Sequence, residues 1–295
     1  MTNSAAAKRF RKNSQFREAW TRLRKNKLAM LGLFVILFIL FMSIFAGLFV
    51  SYDDQVIKTN LAERLKTPSA RHWFGTDYYG RDLFARILFG GRISFLVGFG
   101  ATGVAIFAAA ILGPCAAYFG GKVDSVIMRI VDVIISIPSI LLTVALVAGF
   151  GIGIWQLLLA IAIPSIAGFT RVLRSAVLII TKQEYIEASR ALGAKDSYII
   201  TKHIIPNILG IILVQFSMYV AANVLVGAGL SFLGLGAQIP TPEWGSMLNE
   251  GMQYMRNYPH LVVIPGIVLV ITALSINVFG DGLRDAFDPK LKGRS

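Results

Sequence analysis

Residues 184–207, "EYIEASRALGAKDSYIITKHIIPN", form a polar stretch between two long apolar runs. Residues 184–192 have the composition of a short helix, and Gly193 tolerates the left-handed backbone of a helix C-terminal stop. Asp196 favours a second helical turn, and Pro206 restricts the chain where the next apolar run begins. The stretch predicts a helical hairpin, 184–206, on the surface of a membrane.

Outward from this hairpin, the chain consists largely of runs long enough to cross a membrane. It is 55% hydrophobic and 15% charged, with a mean hydropathy of +0.66, which exceeds what one soluble core would hide. The 23 residues from Leu28 to Val50 carry no charge and reach about 35 Å as a helix. The other runs lie near 95–119, 126–149, 152–173, 204–230 and 261–280. The prediction is an all-α polytopic membrane protein with six transmembrane helices.

Charge sets the orientation of these spans. The net charge is +13, but Lys and Arg cluster beside apolar runs, which is typical of membrane topology signals and not of a nucleic-acid surface. With six spans, 21 of the 29 basic residues lie on the side of both termini and 8 on the other. The outer loop 51–92 is basic but partly offset by acidic residues. We therefore predict cytoplasmic termini.

Other residue types exclude several functions. The single Cys115 excludes an internal disulfide, and His72, His203 and His260 lack the spacing of metal ligands. The first run is too long for a signal peptide and has no small-residue cleavage pattern, so we expect a retained anchor. These observations predict no metal site within the chain.

Small residues and prolines mark the spans. Gly and Ala recur at three- and four-residue spacings in 98–113, "GFGATGVAIFAAAILG", which predicts a closely packed interior helix. Pro138 and Pro164 are expected to interrupt the third and fourth spans. Glycines are expected to weaken the helix at the end of the fifth span. The glycines concerned are Gly227, Gly229, Gly234 and Gly236. Ordinary kinks and a role in transport both account for such breaks.

The hairpin carries a recognisable pattern. Glu187, Ala188 and Ser189, then Gly193, then "HIIP" ending at Pro206 resemble the E-A-A, three residues, G, nine residues, I-x-L-P signature of ABC importer permeases. Ser189 replaces the second Ala, and His203 the usual Ile. The resemblance implies a coupling helix that docks in a groove of an ATPase subunit; composition alone equally fits an interfacial helix. The implied ATPase-coupling residues are Glu187, Ala188, Ser189, Arg190, Gly193 and Pro206.

Three more stretches resemble the peptide and nickel branch of this family, in its second-permease type. They are "FGTDYYGRDLFARILFGGRISFLVG" (74–98), "SFLGLGAQIPTPEWGSMLNEG" (231–251) and "NVFGDGLRDAFDP" (277–289). The resemblance covers nearly the whole chain and implies the type I importer permease fold. The implied organisation is a basic cytoplasmic tail (1–27), a first helix with its outer loop (28–91), a permease core (92–285) and a cytoplasmic tail (286–295).

The resemblance also implies the partners. They are a second, homologous permease, two ATP-binding subunits that hold ATP and Mg²⁺, and an extracytoplasmic solute-binding protein, all at a bacterial cytoplasmic (inner) membrane. The chain itself has no G-x-x-x-x-G-K-[ST] motif, since Gly121-Lys122 is followed by Val123. Its longest outer loop is too short to form a capture domain. We therefore expect a non-catalytic subunit without a cofactor of its own.

Two other classes of function are open to a chain of this kind. A self-contained secondary transporter uses carboxylates near the midplane, and here only Asp132 lies clearly within a span, with Arg129 as its expected partner. A paired carboxylate near the interface disfavours a proton relay. A scaffold protein leaves the hairpin unexplained unless an ATPase is its client.

The solute path is the least specified part of the sequence. Uncharged polar residues in the fifth and sixth spans are candidates to line it: Gln215, Ser217, Asn223, Ser275 and Asn277. Interhelical hydrogen bonds account for them equally well. Dipeptides, longer peptides, nickel complexes and related solutes all stay open.

The two outer loops are interpreted as structural. Gly75, Asp77, Gly80, Arg81 and Asp82 predict a turn held by Asp caps and Arg pairing. The run "IPTPEWG" (239–245) predicts a rigid proline loop, with its tryptophan anchored at the membrane interface. Neither segment is predicted to contact the solute.

The charge distribution makes a direct topology prediction. A cysteine introduced at Ser14, or a reporter fused after Ser295, should be accessible only from the cytoplasm, because most basic residues lie on that side. Labelling with a membrane-impermeant maleimide in intact and permeabilised cells measures it. Labelling of Ser14 from outside in intact cells would contradict the orientation and separate the hairpin from any cytoplasmic ATPase.

Overall fold

A computed structural model describes residues 17–287 of the chain, and this part is helical and contains no strand. Residues 17–25 are helical and precede α1. The tail positions Ser14 and Ser295, and the basic residues Lys8, Arg9, Arg11, Lys12, Lys290, Lys292 and Arg294, lie outside the described residues. The helices are α1 (Lys27–Ile44), α2 (Ala46–Phe49), α3 (Leu83–Phe119), α4 (Gly121–Ser136), α5 (Ser139–Phe150), α6 (Ile154–Thr181), α7 (Glu184–Ala191), α8 (Asp196–Ile199), α9 (Ile205–Phe232), α10 (Trp244–Met252) and α11 (His260–Phe287).

The spans are those expected, with one important difference. In residues 17–287, five helices are long and apolar enough to cross a membrane: α1, α3, α6, the continuous run Asp196–Phe232, and α11. The third predicted span, 126–149, is instead the pair α4 and α5, which meet at a bend of 94°. Counting this pair as one broken span gives six spans.

Two spans are longer than their apolar runs. α3 begins at Leu83 and not near residue 95, because the Asp82 carboxylate accepts a hydrogen bond from the Ala85 backbone N–H at 2.9 Å and caps the helix. α6 continues to Thr181, past the predicted end at residue 173. The added turns carry arginines that have partners elsewhere in the structure: Arg86 and Arg174 form ion pairs, and Arg92 donates to the Ser43 carbonyl. These helices therefore extend beyond what apolar length alone predicts.

The two prolines behave differently. Pro138 lies at the break between α4 and α5, as predicted, whereas Pro164 lies inside the unbroken helix α6 and does not interrupt it. α9 likewise runs through Gly227 and Gly229. A Cβ at Gly227 would lie 2.8 Å from a methyl of Val97 on α3, so this glycine permits close helix approach.

The predicted interior helix is confirmed in α3. Ala101, Ala105 and Ala109 are completely buried, and Gly113 continues the same stripe at four-residue spacing. A Cβ at Gly113 would lie 2.9 Å from the Cβ of Leu173 on α6. Small residues therefore let α3 and α6 pack backbone to backbone.

The outer end of the bundle has its own core, centred on a tryptophan. Trp244 is completely buried, and its indole N–H donates to the Ile87 carbonyl at 3.0 Å. The prediction that Trp244 anchors the loop at the lipid interface is therefore wrong. The ring instead packs against Phe95 of α3, with ring centres 5.6 Å apart.

A buried carboxylate lies directly beside this tryptophan. Glu243 accepts hydrogen bonds at 2.9 Å from the Ser94 hydroxyl and from the Ser246 backbone N–H, which places it as the N-cap of α10. Burial raises the pKa of the Glu243 carboxyl above its ordinary value, and these hydrogen bonds offset only part of that effect. Sequence reasoning passed over this residue.

The outer turn has the expected structure and one additional partner. Asp77 accepts from the backbone N–H groups of Tyr79 and Arg81, and from the Arg81 guanidinium at 2.6 Å. Arg81 and Arg86 have almost completely buried side chains, and both also pair with Glu250 from the other outer loop. Four mutually paired charges thus join the two outer loops.

Glu243 generates a test of the outer core. Because burial raises its folded pKa, its contribution is most favourable at low pH and is lost as pH rises through the folded pKa. Glu243→Gln keeps an acceptor oxygen without the ionisation, so the free energy of unfolding of the variant relative to that of the wild type should increase as the pH rises. Thermal unfolding of the detergent-solubilised chain between pH 4 and pH 9 measures this difference.

The matched control is Asp53→Asn, which neutralises an exposed acid in the other outer loop, 51–92. Its unfolding temperature should follow that of the wild type throughout. A constant difference between Glu243→Gln and the wild type over the whole pH range would show that Glu243 does not titrate in the way that its burial predicts.

Candidate coupling site and translocation path

The hairpin at 184–206 begins with a short helix that ends as predicted. Gly193 has φ +76°, its N–H donates to the Arg190 carbonyl at 2.9 Å, and the Ala194 N–H donates to the Ser189 carbonyl at 3.1 Å. This pair of bonds is a Schellman stop, which requires a left-handed residue at Gly193. The glycine thus sets the direction in which the chain leaves α7.

The second half of the hairpin differs from the prediction. α8 continues through a π-helical turn, Ile200–Ile204, into α9, so that Asp196–Phe232 is one run. Pro206 lies in the first turn of α9. It has no backbone N–H to donate, and the hydrogen bond that it cannot make falls beside the π-helical turn, where the helix is already irregular. The proline therefore does not separate the hairpin from the span, and the hairpin's second arm is rigidly continuous with α9.

The inner face of the hairpin is apolar and fully buried. Ile186 of α7, with Ile199 and Ile204 of the second arm, has no exposed surface. They belong to the same core cluster as Leu173 and Val177 of α6. Burial of a side chain of this size contributes about 1.5–3 kcal/mol, so the hairpin is fixed to the bundle by packing.

A polar contact fixes the hairpin to the end of α3 as well. The Arg190 guanidinium lies 4.4 Å from the centre of the Tyr118 ring, and its Nε donates to the Tyr118 hydroxyl at 3.3 Å. That hydroxyl donates to Asp196 Oδ1 at 2.7 Å. Arg190, predicted to contact an ATPase, also closes the hairpin onto α3.

The face of the hairpin that points away from the bundle carries the remaining predicted residues. Glu187 and Ala188 are exposed, and Ser189 is partly exposed with its hydroxyl donating to the Tyr185 carbonyl at 2.7 Å. Leu192, at the tip, is 88% exposed, which is high for a large apolar side chain outside the apolar spans. The arrangement presents a small-residue helix face with an apolar tip to the surroundings.

Sequence reasoning missed the tyrosine that joins the two arms. The Asn207 side-chain amide donates to the Tyr185 hydroxyl at 3.2 Å and to the His203 carbonyl at 2.6 Å. Burial raises the pKa of the Tyr185 phenol, so it stays neutral. A tyrosine and an asparagine 22 residues apart carry no sequence signal for this contact.

The five candidate path residues are not brought together. The Asn223 amide donates to Thr102 Oγ1 at 2.9 Å and accepts from Ser165, which links α9 to α3 and α6. Ser217 is buried and donates to the Val214 carbonyl, and Ser275 is also buried. Gln215 is partly exposed and Asn277 exposed. For Asn223 the interhelical interpretation therefore accounts for the side chain; the role of the others in a path stays a prediction.

A cleft of about 310 Å³ opens beside the outer charge network. Tyr78 and Tyr254 line it with rings stacked 4.9 Å apart, and Arg64 lies 4.6 Å from the Tyr78 ring centre. Burial raises the pKa of the Tyr254 phenol. Over residues 17–287, no three His, Cys, Asp or Glu side chains are placed to hold a metal ion.

The amino-acid sequence matches a known family. The family described as "Binding-protein-dependent transport system inner membrane component" matches residues 93–293. The chain belongs to this family. A second family, "N-terminal TM domain of oligopeptide transport permease C", matches residues 14–68 of this inner membrane component.

Individual relatives cover nearly the same length. The chain is 45% identical over 279 residues to the dipeptide transport system permease protein DppC of Alkalihalophilus pseudofirmus, covering 95% of this chain and 91% of the relative. It is 41% identical to the glutathione transport system permease protein GsiD of Escherichia coli O157:H7 (94% and 91%), and 40% identical to the oligopeptide transport system permease protein OppC of Bacillus subtilis (95% and 91%).

A solved structure shows the same fold. In the inward-facing MetNI methionine ABC transporter, one chain matches with a TM-score of 0.56 and 20% identity, covering 68% of this chain and 96% of that one. The permease fold of an ABC importer is thereby confirmed for this membrane component.

Proposed function

We propose that the chain is a permease subunit of an ATP-driven importer that carries peptides across the bacterial cytoplasmic membrane. The observation that carries the coupling role is the hairpin, whose inner isoleucines are fully buried while Glu187, Ala188 and Leu192 face outward. A rigid projection with a fixed angle suits a device that transmits force. A partner that moves this projection also moves the helices to which it is packed.

The solute class rests on similarity to named relatives. Three relatives that match over nearly the whole chain are permeases named for dipeptides, oligopeptides and glutathione, which is itself a tripeptide. A short peptide is therefore the solute that we propose. Such a solute crosses through a path shared with a second, homologous permease chain.

Energy and capture come from other subunits in this proposal. Two ATPase subunits bind ATP and Mg²⁺ at the cytoplasmic face, and a binding protein delivers the peptide from outside. The chain contributes the path and the hairpin, and both of its termini are cytoplasmic. Its lack of a phosphate-binding loop supports this division of roles.

The ion-coupled alternative receives no support from its one candidate residue. Asp132 pairs with Arg171 of α6 at 2.5 Å, and the expected pairing with Arg129 is wrong. Asp132 thus contacts a neighbouring helix and not a residue of its own helix. This ion pair accounts for Asp132 as a contact between two helices, so the residue lends no support to a proton relay.

The proposal predicts that two hairpin changes uncouple the chain from its ATPase. Glu187→Lys reverses an exposed charge in the docking face. Gly193→Val forces a β-branched residue into a left-handed backbone at a cost of about 1–2 kcal/mol and redirects the tip; no neighbour lies within 4 Å of the added Cβ, so strain alone acts. Both variants should insert normally but lose ATPase co-purification or peptide uptake.

Matched controls separate this from general damage. Asp53→Lys makes the same charge reversal in the outer loop, and Gly229→Val places the same side chain at a helical glycine with open space around it. Both should keep wild-type ATPase recovery. Full uptake and ATPase recovery by both hairpin variants would overturn the coupling role.

The chain alone in liposomes should neither hydrolyse ATP nor accumulate alanine peptides under an ion gradient.

A further inference from the structure

The first helix of the broken span is attached to the bundle mainly by charges. Of the residues of α4, only Val131 is buried, so apolar packing contributes little to holding this helix. Two of its carboxylates, Asp124 and Asp132, pair with arginines of α6. The position of α4 therefore depends on these two ion pairs.

The two pairs differ in geometry and exposure. Arg174 binds Asp124 with both Nε and Nη2 at 2.5 Å, and the two side chains are 25% and 22% exposed. Arg171 binds Asp132 through Nη2 at 2.5 Å, and these side chains are 48% and 53% exposed. A bidentate, shielded pair is directional and strong, whereas an exposed pair opens and re-forms at low cost.

The arginines lie on the part of α6 that holds the hairpin. Leu173 and Val177 belong to the core cluster that buries Ile186. Leu173 lies within one turn of both Arg171 and Arg174, and Val177 lies within one turn of Arg174. Only two residues separate the end of α6 from the start of α7. A displacement of the hairpin must therefore move this end of α6 and both guanidinium groups.

The far end of α4 leads to a break in the membrane span. α4 meets α5 at a 94° bend, where Pro138 follows Ile137. Irregular backbone at membrane depth is tolerated where it is buried in protein or lines a cavity. A rotation of α4 thus changes the angle of a break within the span.

From these contacts we propose that Arg171 and Arg174 are positioning residues that transmit hairpin movement to the broken span α4–α5. The inference rests on the proposed function, since it needs an ATPase to move the hairpin. Arg174 and Asp124 form the joint that keeps α4 on α6. Arg171 and Asp132 form the second contact, which fixes the rotation of α4 and opens when the hairpin moves.

The proposed link predicts that neutralising Asp124 and Asp132 makes the distance between α4 and the hairpin less well defined. Spin labels at Val126 on α4 and Leu192 on the hairpin, both strongly exposed, report the distance between the two elements, with Cys115 replaced by Ser. Asp124→Asn combined with Asp132→Asn should at least double the width of the distance distribution, measured by pulsed electron paramagnetic resonance in nanodiscs. The charge-swapped pair Asp124→Arg with Arg174→Asp should restore most of the narrow distribution.

The control is Asp54→Asn, which removes the exposed ion pair with Lys58 in the outer loop. It should leave the distribution unchanged. An unchanged width in the doubly neutralised variant would overturn the proposed link. If that variant fails to fold, the exposed single change Asp132→Asn decides, because it removes one of the two contacts and should widen the distribution by itself. An unchanged width in that single variant would then overturn the link.

Transmission is measured in the full assembly with partner permease, ATPase subunits and binding protein. Liposomes take up labelled alanine di-, tri- and pentapeptides while ATP hydrolysis is recorded. The doubly neutralised variant should retain its ATPase subunits but hydrolyse several-fold more ATP per peptide. A wild-type ratio in that variant would overturn transmission. Absence of peptide uptake by the wild type, with the expected distance changes, would contradict the proposed solute and leave the link standing.

Discussion

The close approach of α3 and α6 is the contact on which the rest of the molecule depends. In a lipid environment apolar side chains gain little from meeting each other, so helices associate where small residues let their backbones pack closely. The stripe Ala101, Ala105, Ala109 and Gly113 supplies such a surface, and Leu173 of α6 packs at Gly113. This contact places the end of α6 where it receives the hairpin and α4.

From that contact, a series of packed connections leads from the hairpin to the helices of the bundle. The inner isoleucines hold the hairpin on α6, the second arm is continuous with α9, and Arg190 closes the hairpin onto Tyr118 of α3. In our proposal the two ion pairs extend these connections to the broken span. The hairpin therefore contacts three elements of the bundle, α3, α6 and α9, and in our proposal a force applied to its tip reaches all three.

The fold was largely predictable because its signals are local. Apolar runs marked the spans, the Gly and Ala spacing of 98–113 marked the interior helix, and Gly193 marked the stop of α7. One error is local, because Pro164 does not interrupt its span; the others concern partners distant in sequence. Asp132 was assigned to Arg129 on its own helix, Trp244 was assigned to the lipid interface, and Glu250 was not connected to Arg81, since only the packed structure brings these residues together.

The most direct measurement of the central claim places a photo-crosslinking residue, p-benzoylphenylalanine, at Leu192 in the assembled transporter. The side chain is 88% exposed at the tip of the hairpin, so the account predicts a covalent adduct with an ATPase subunit in native membranes. The same residue at Leu48, 78% exposed at the predicted outer end of the first span, should give no such adduct. Absence of an ATPase adduct from Leu192, while the ATPase subunits still co-purify, would contradict the account.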